Sequence, residues 1–163
     1  AEAGVRTPVQ VEMTIPNNPD LRQVGEVIQA MVREAGFELR LNAMEFASSL
    51  QAATRGEFET YLLAWSGRAD PDGNIFTFIH SQGPQNDGKY SNPEVDRLIA
   101  AARVESDQAR RAALYEQMWR ARAQDLGLIY LWHRKNIVGH TTRLTGFVPV
   151  PDGLIRLQGM RLN

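Results

Sequence analysis

The chain has no cysteine, which excludes disulfides, thiolate metal sites and cysteine nucleophiles. Lysine is nearly missing too. Of 18 basic residues only Lys89 and Lys135 are lysine, and the rest are arginine. Arginine suits bidentate ion pairs, although the bias reads first as the mark of a GC-rich genome. An excess of one charge sign is also lacking: 18 basic against 19 acidic residues leave a formal charge of −1. Such a chain has no field to recruit nucleic acid or an anionic membrane. No apolar run approaches the ~20 residues of a transmembrane helix, and the N-terminus shows no secretory signal pattern. The abrupt start at Ala1-Glu2-Ala3-Gly4 reads as a mature form or a cut fragment. Histidine is scarce, and His80, His133 and His140 include no pair spaced for one helix face. Neither a metal nor a cofactor is expected.

What is present fits one ordinary α/β domain. The 163 residues are 43% hydrophobic and 23% charged, the proportions of a globular protein. Val9, Val11, Met13 and Ile15 alternate with polar residues, the period of a half-buried strand. Pro16-Asn17-Asn18-Pro19 stops it, with Asn18 as helix cap and Pro19 in the first turn. Leu21, Val24, Ile28, Met31 and Ala35 form one apolar stripe, and Gly36 supplies a left-handed stop. Phe37, Leu39, Leu41 and Ala43 alternate again. Strand, helix and strand make a βαβ unit.

A short helix is predicted from Phe46 to Thr54, ended by Arg55-Gly56. The apolar run Tyr61-Leu62-Leu63-Ala64-Trp65 lacks alternation and reads as a central strand covered on both faces. Ile75 to Ile79 reads as a helical turn or two capped by Asn74, and Ser81 to Lys89 as the longest irregular loop. Asn92-Pro93 opens a helix with Val95, Leu98, Ile99 and Ala102 on one face. Ser106-Asp107 opens a longer one carrying Leu114, Tyr115, Met118 and Trp119, which Gly127 should end. Leu128 to Trp132 reads as a final strand paired with Ile137-Val138. From Leu144 the chain is punctuated by Gly146, Pro149, Pro151 and Gly153.

The chemistry-bearing stretch is Trp65 to Asn74. Asp70-Pro71-Asp72-Gly73 is type I turn chemistry, and locally a plain tight turn explains it. A loop leaving a central strand is, however, where α/β sheets hold ligands. There Trp65 would offer a flat ring, and Arg68 paired N–H donors for a carboxylate. An EF-hand reading of Asp70, Asp72 and Asn74 fails, since its twelfth position is Ser81. Ser66 is no nucleophile elbow, because Ala64 stands where glycine is required. Arg110, Arg111, Arg120 and Arg122, interleaved with Glu105, Asp107, Glu116 and Asp125, read as a solvated, ion-paired face.

Trp65-Ser66-Gly67 with Asp70-Pro71-Asp72, then Tyr90-Ser91-Asn92-Pro93-Glu94-Val95-Asp96, are the most specific parts of a wider resemblance. Arg110 to Tyr115 and Gly146-Phe147 match in type and order as well. The chain resembles the C-terminal lobe of the family 5 extracellular solute-binding proteins, the dipeptide, oligopeptide and nickel receptors of ABC importers. The resemblance implies one lobe of a periplasmic-binding-protein-like (class II) fold, a mixed sheet flanked by helices, and no catalysis. It implies a ligand-binding lobe over 1–143 and a tail over 144–163 returning toward a missing N-terminal lobe. Trp65, Ser66, Gly67, Arg68 and Asp70 would line one side of an interdomain cleft for a peptide or other small solute. Permease subunits would be partners and the periplasm the location. Peptide-binding members anchor the ligand amine with an Asp shortly after the Trp; here Arg68 stands three positions on, which favours an anionic group on the ligand. Two other classes stay open: a small enzyme using Asp70 or Asp72, and a stand-alone interaction domain.

Overall fold

The computed structural model describes residues 4–150 and 152–163, so the expectations on Ala1-Glu2-Ala3 and Pro151 lie outside the described residues. The chain divides into two compact units, Ala1–Trp65 and Ser66–Asn163.

In the first unit, alternation becomes strand β1 (Val9–Pro16), followed by helix α1 (Pro19–Glu34) and strand β2 (Phe37–Met44). The two strands run parallel in unbroken register from Val9 opposite Phe37 to Pro16 opposite Met44. This is the expected βαβ unit. The Asn18 carboxamide accepts from the Leu21 N–H at 3.1 Å, and Gly36 takes the left-handed conformation (φ 87°) that stops α1. The inward face of α1 carries Leu21, Val24 and Ile28 as predicted, joined by Gly25, while the C-terminal end of the predicted stripe turns outward and Met31 is left 67% exposed. Helix α2 (Phe46–Arg55) ends at left-handed Gly56, as predicted.

The run from Tyr61 to Trp65 departs from expectation. Only Thr60–Tyr61 pairs, as β3, and the sheet order β2-β1-β3 puts it at an edge. The Leu62 N–H adds one bond to the Thr14 carbonyl at 3.0 Å, and then the ladder stops. Apolar content alone does not make a strand central; a second neighbour must take the other side of the ladder. Ile15, Leu21 and Leu62 form the core of this unit, with Met13, Val24 and Leu41 packed against them.

The second unit is led by helices α3 (Asp72–Ile79), α4 (Pro93–Val104) and α5 (Gln108–Arg122). Its core is Ile75, Ile79, Val95, Leu98, Ile99, Ala102, Tyr115 and Met118, which includes the whole predicted face of α4. Asn92 caps α4 through the Glu94 and Val95 N–H groups, and Asp107 caps α5 through that of Arg110. The loop before α4 is organised by Asn86, a buried side chain. Its amide donates to the carbonyls of His80 (3.2 Å) and Tyr90 (2.7 Å), and its oxygen accepts from the Tyr90 N–H (2.9 Å).

Helix α5 ends at Arg122, earlier than Gly127. Gly127 serves a different purpose: any Cβ there would collide with the ring of Tyr90. Among the described residues no strand forms over 128–132 or at Ile137-Val138. Instead the buried Arg122 guanidinium donates to the Leu128 carbonyl and lies 5.4 Å from the Trp119 ring and 5.5 Å from that of Tyr130. Side-chain packing on α5 therefore fixes the start of this segment. β4 (Leu144–Thr145) and β5 (Arg161–Leu162) close the chain as an antiparallel pair.

Candidate functional site

Four predicted site residues, Ser66, Gly67, Arg68 and Asp70, lie on the loop that leads into α3 in the second unit. Trp65 is the last residue of the first unit, past the end of β3, and is 41% exposed.

The loop is built by its own polar groups. Asn74 does not cap α3 but sits in its first turn and clasps the backbone ahead of it. Its oxygen accepts from the Arg68 N–H at 2.6 Å, while its amide donates to the Arg68 carbonyl at 2.8 Å and that of Asp70 at 3.2 Å. Gly67 turns the chain with φ 72°. The Arg68 Nη1 donates to the Ser66 hydroxyl at 3.1 Å and to the Gly67 carbonyl at 2.8 Å, so the guanidinium is held over its own loop.

Asp70 is engaged more strongly. Its Oδ1 accepts from the Asp72 N–H at 2.8 Å, the local turn bond expected from the sequence. Both carboxylate oxygens also take the fork of Arg111, at 2.9 and 2.7 Å. That geometry, with the Asp72 N–H second, holds the Asp70 carboxyl down at about 2, from an ordinary 3.8. Arg111 is fixed from behind. It donates to the Ala102 carbonyl of α4 at 3.0 Å and to the Tyr115 hydroxyl at 3.3 Å, and is itself raised by Asp70. Asp72 is held less well: Arg103 Nε lies 3.2 Å from its Oδ1 as a charge contact, that buried oxygen accepts no hydrogen bond among the described residues, and the Arg103 guanidinium stacks 4.0 Å from the Phe76 ring.

These two arginines are what sequence reasoning missed. Arg111 was expected on a solvated face; it turns inward and joins three segments. Its neighbour Arg110 does pair with Glu105, and Arg120 with Glu116, as expected. The Asp70–Arg111 pair spans 41 residues, and no local spacing announces it. His80 accepts from the Gln82 N–H at 3.0 Å and packs 4.6 Å from the Phe76 ring. Among the described residues no three His, Asp or Glu side chains gather around a common metal position.

The pairing has a measurable consequence in acid. The folded carboxyl of Asp70 titrates below its unfolded value, so its contribution is complete above about pH 4 and is lost as the pH falls through about 2. A carbon-detected NMR titration of the Asp70 carboxyl should therefore give a midpoint near 2. A midpoint at the ordinary 3.8 would show that the Arg111 pair does not form in solution.

No family model matches the chain. It is 32% identical over 105 residues to di/tripeptide-binding protein 3 of Pseudomonas aeruginosa, an alignment covering 63% of this chain and 20% of that protein. It is 31% identical over 106 residues to the dipeptide-binding protein of Escherichia coli, with the same shares. Among solved structures, the ABC transporter-associated periplasmic binding protein DppA from Helicobacter pylori, in complex with the peptide STSA, superposes with TM-score 0.69 and 25% identity. That match covers 77% of this chain and 26% of the other. The chain is related to part of the family 5 solute-binding proteins. It spans about a fifth of the length of the curated relatives it matches. The fold agrees over a longer stretch. The oligopeptide-binding protein AppA from Bacillus subtilis superposes with TM-score 0.82 over 94% of this chain, at 21% identity. The α/β architecture with a parallel sheet flanked by helices is thus that of periplasmic binding proteins, in a chain covering 32% of the AppA chain.

Proposed function

We propose that this chain is the C-terminal part of a non-enzymatic substrate-binding protein of an ABC importer, acting in the periplasm with permease subunits. Residues 1–143 would serve as a ligand-binding lobe, and 144–163 would return to a preceding lobe. The ligand is a peptide-like or other small solute bearing a carboxylate, enclosed between the two lobes. Trp65, Ser66, Gly67, Arg68 and Asp70 form one wall of that cleft. Within the wall Arg68 meets the ligand, while Asp70 holds the loop through Arg111.

The observation that carries the reading is the sequence match to curated di/tripeptide-binding proteins about five times as long as the aligned part. Relatives named as binding proteins support a non-catalytic role, and the Helicobacter neighbour, periplasmic and peptide-bound, supports the location and the ligand class.

The reading is tested by comparing this chain with its full-length receptor against a panel of di- and tripeptides in a calorimeter. The receptor should bind at least one peptide tightly. The isolated chain offers one wall, so a peptide would bury far less than the ~70–90% of its surface enclosed in a good site. It should bind weakly or not at all. A tight complex of the isolated chain with a small peptide would end the half-cleft reading.

A further inference from the structure

We propose that residues 128–138 are an interface segment that docks as a strand on the sheet of the lobe preceding this chain in the full-length receptor. The inference rests on the reading of this chain as the C-terminal part of such a receptor.

Leu128-Ile129-Tyr130-Leu131-Trp132 has the continuous apolar composition of a strand covered on both faces. It is covered on neither. Each of the five is 40–70% exposed, so residues that would point to opposite faces of a strand all meet water. Ile137 and Val138 are exposed as well. Among the described residues neither sheet includes the segment. Single exposed apolar side chains are ordinary, but a run of this density is a patch that needs a partner.

The segment is already held in place at two points. The buried Arg122 guanidinium donates to the Leu128 carbonyl, and the Tyr130 ring packs edge-on to Trp119 at 5.7 Å. Further along, the Asn136 amide packs directly on Gly153. That contact joins the segment to the tail, where Leu154, Ile155 and Leu157 are exposed too. An apolar strand open on both faces and both edges is completed by another sheet with its covering layer, whereas a lone helix or short peptide would leave a face or an edge in water. The preceding part of the receptor is a partner of that kind. The curated relatives are about five times as long as the aligned part, and the fold match to AppA takes up 94% of this chain but only 32% of the other.

The test is hydrogen exchange at the amides of Ile129 to Trp132, in this chain and in the full-length receptor. In the receptor they should exchange on the order of a hundredfold or more slower than in the chain alone, because a paired ladder opens only with the fold around it. Ile129→Asp should leave the melting temperature of this chain within about 2 °C, since the side chain already meets water, and should lower that of the receptor by more than about 5 °C. Equally fast exchange in both proteins overturns the proposal. So does protection that appears in this chain alone as it dimerises, or in the receptor only once its permease is added. If the Ile129→Asp receptor fails to fold, the exchange comparison, which needs no variant, still decides. Calorimetry with di- and tripeptides keeps the two claims apart. A receptor that binds peptides while 129–132 stay unprotected keeps the functional reading and sinks the docking strand. Protection in a full-length protein that binds no peptide does the opposite.

Discussion

Met118→Ala should cost the second unit about 2–5 kcal/mol of stability, read as a lower urea midpoint with little change in slope. Met118 is fully buried, as are Val95, Ile99 and Ala102, with Leu98 and Ile79 1% exposed. Truncation removes the apolar transfer energy of most of a side chain and leaves a cavity between α3, α4 and α5. The rigid neighbours can close that cavity only in part. Met31→Ala is the control. Met31 is two-thirds exposed on α1, so its loss should stay within about 0.5 kcal/mol. A Met118→Ala cost no larger than the control's would mean that this three-helix core is not what holds the unit together.

Arg68→Ala should lower the affinity of the full-length receptor for its cognate ligand on the order of tenfold to a hundredfold. A charge-assisted bond to a ligand carboxylate in a closed, dry cleft is worth about 1.5–3 kcal/mol. Melting temperature should hardly move, since the Arg68 side chain is exposed and bonds to Ser66 and Gly67 of its own loop. Asp70→Asn should do the reverse in part. It breaks an ion pair to α5 and loosens the turn, while sparing the group that meets the ligand. Unchanged affinity in Arg68→Ala beside a large loss in Asp70→Asn would exchange the two roles and make Asp70 the anchor.

The parts of this fold that could be read in the sequence are those with a local cause. The βαβ unit was legible because alternation, the Asn18-Pro19 cap and Gly36 each act within a few residues of where they stand. The faces of α4 and of most of α5 were legible because helical spacing decides them. What failed depends on neighbours far along the chain. Tyr61 to Trp65 is as apolar as a central strand, yet its place at a sheet edge depends on which backbone lies beside it. Leu128 and Tyr130 have strand composition, but the side chain of Arg122 and the ring of Trp119 take them up. For the candidate loop, the turn residues and the local Asp70–Asp72 bond could be foreseen. The clasp by Asn74 and the struts from Arg103 and Arg111 could not, because an arginine on a helix face looks the same whether it meets water or a carboxylate.

Asn86 also bears on how this protein would age. Its carboxamide presents two N–H donors to the carbonyls of His80 and Tyr90 and one acceptor to the Tyr90 N–H. Spontaneous deamidation would replace the donors with a carboxylate oxygen and set a negative charge against two carbonyl dipoles in a buried place. The loop from Ser81 to Lys89, with two glycines and Asn86 as its one asparagine, thus has a chemical fuse at its centre. Loss of one ammonia would release the turn that delivers the chain to Asn92 and the start of α4.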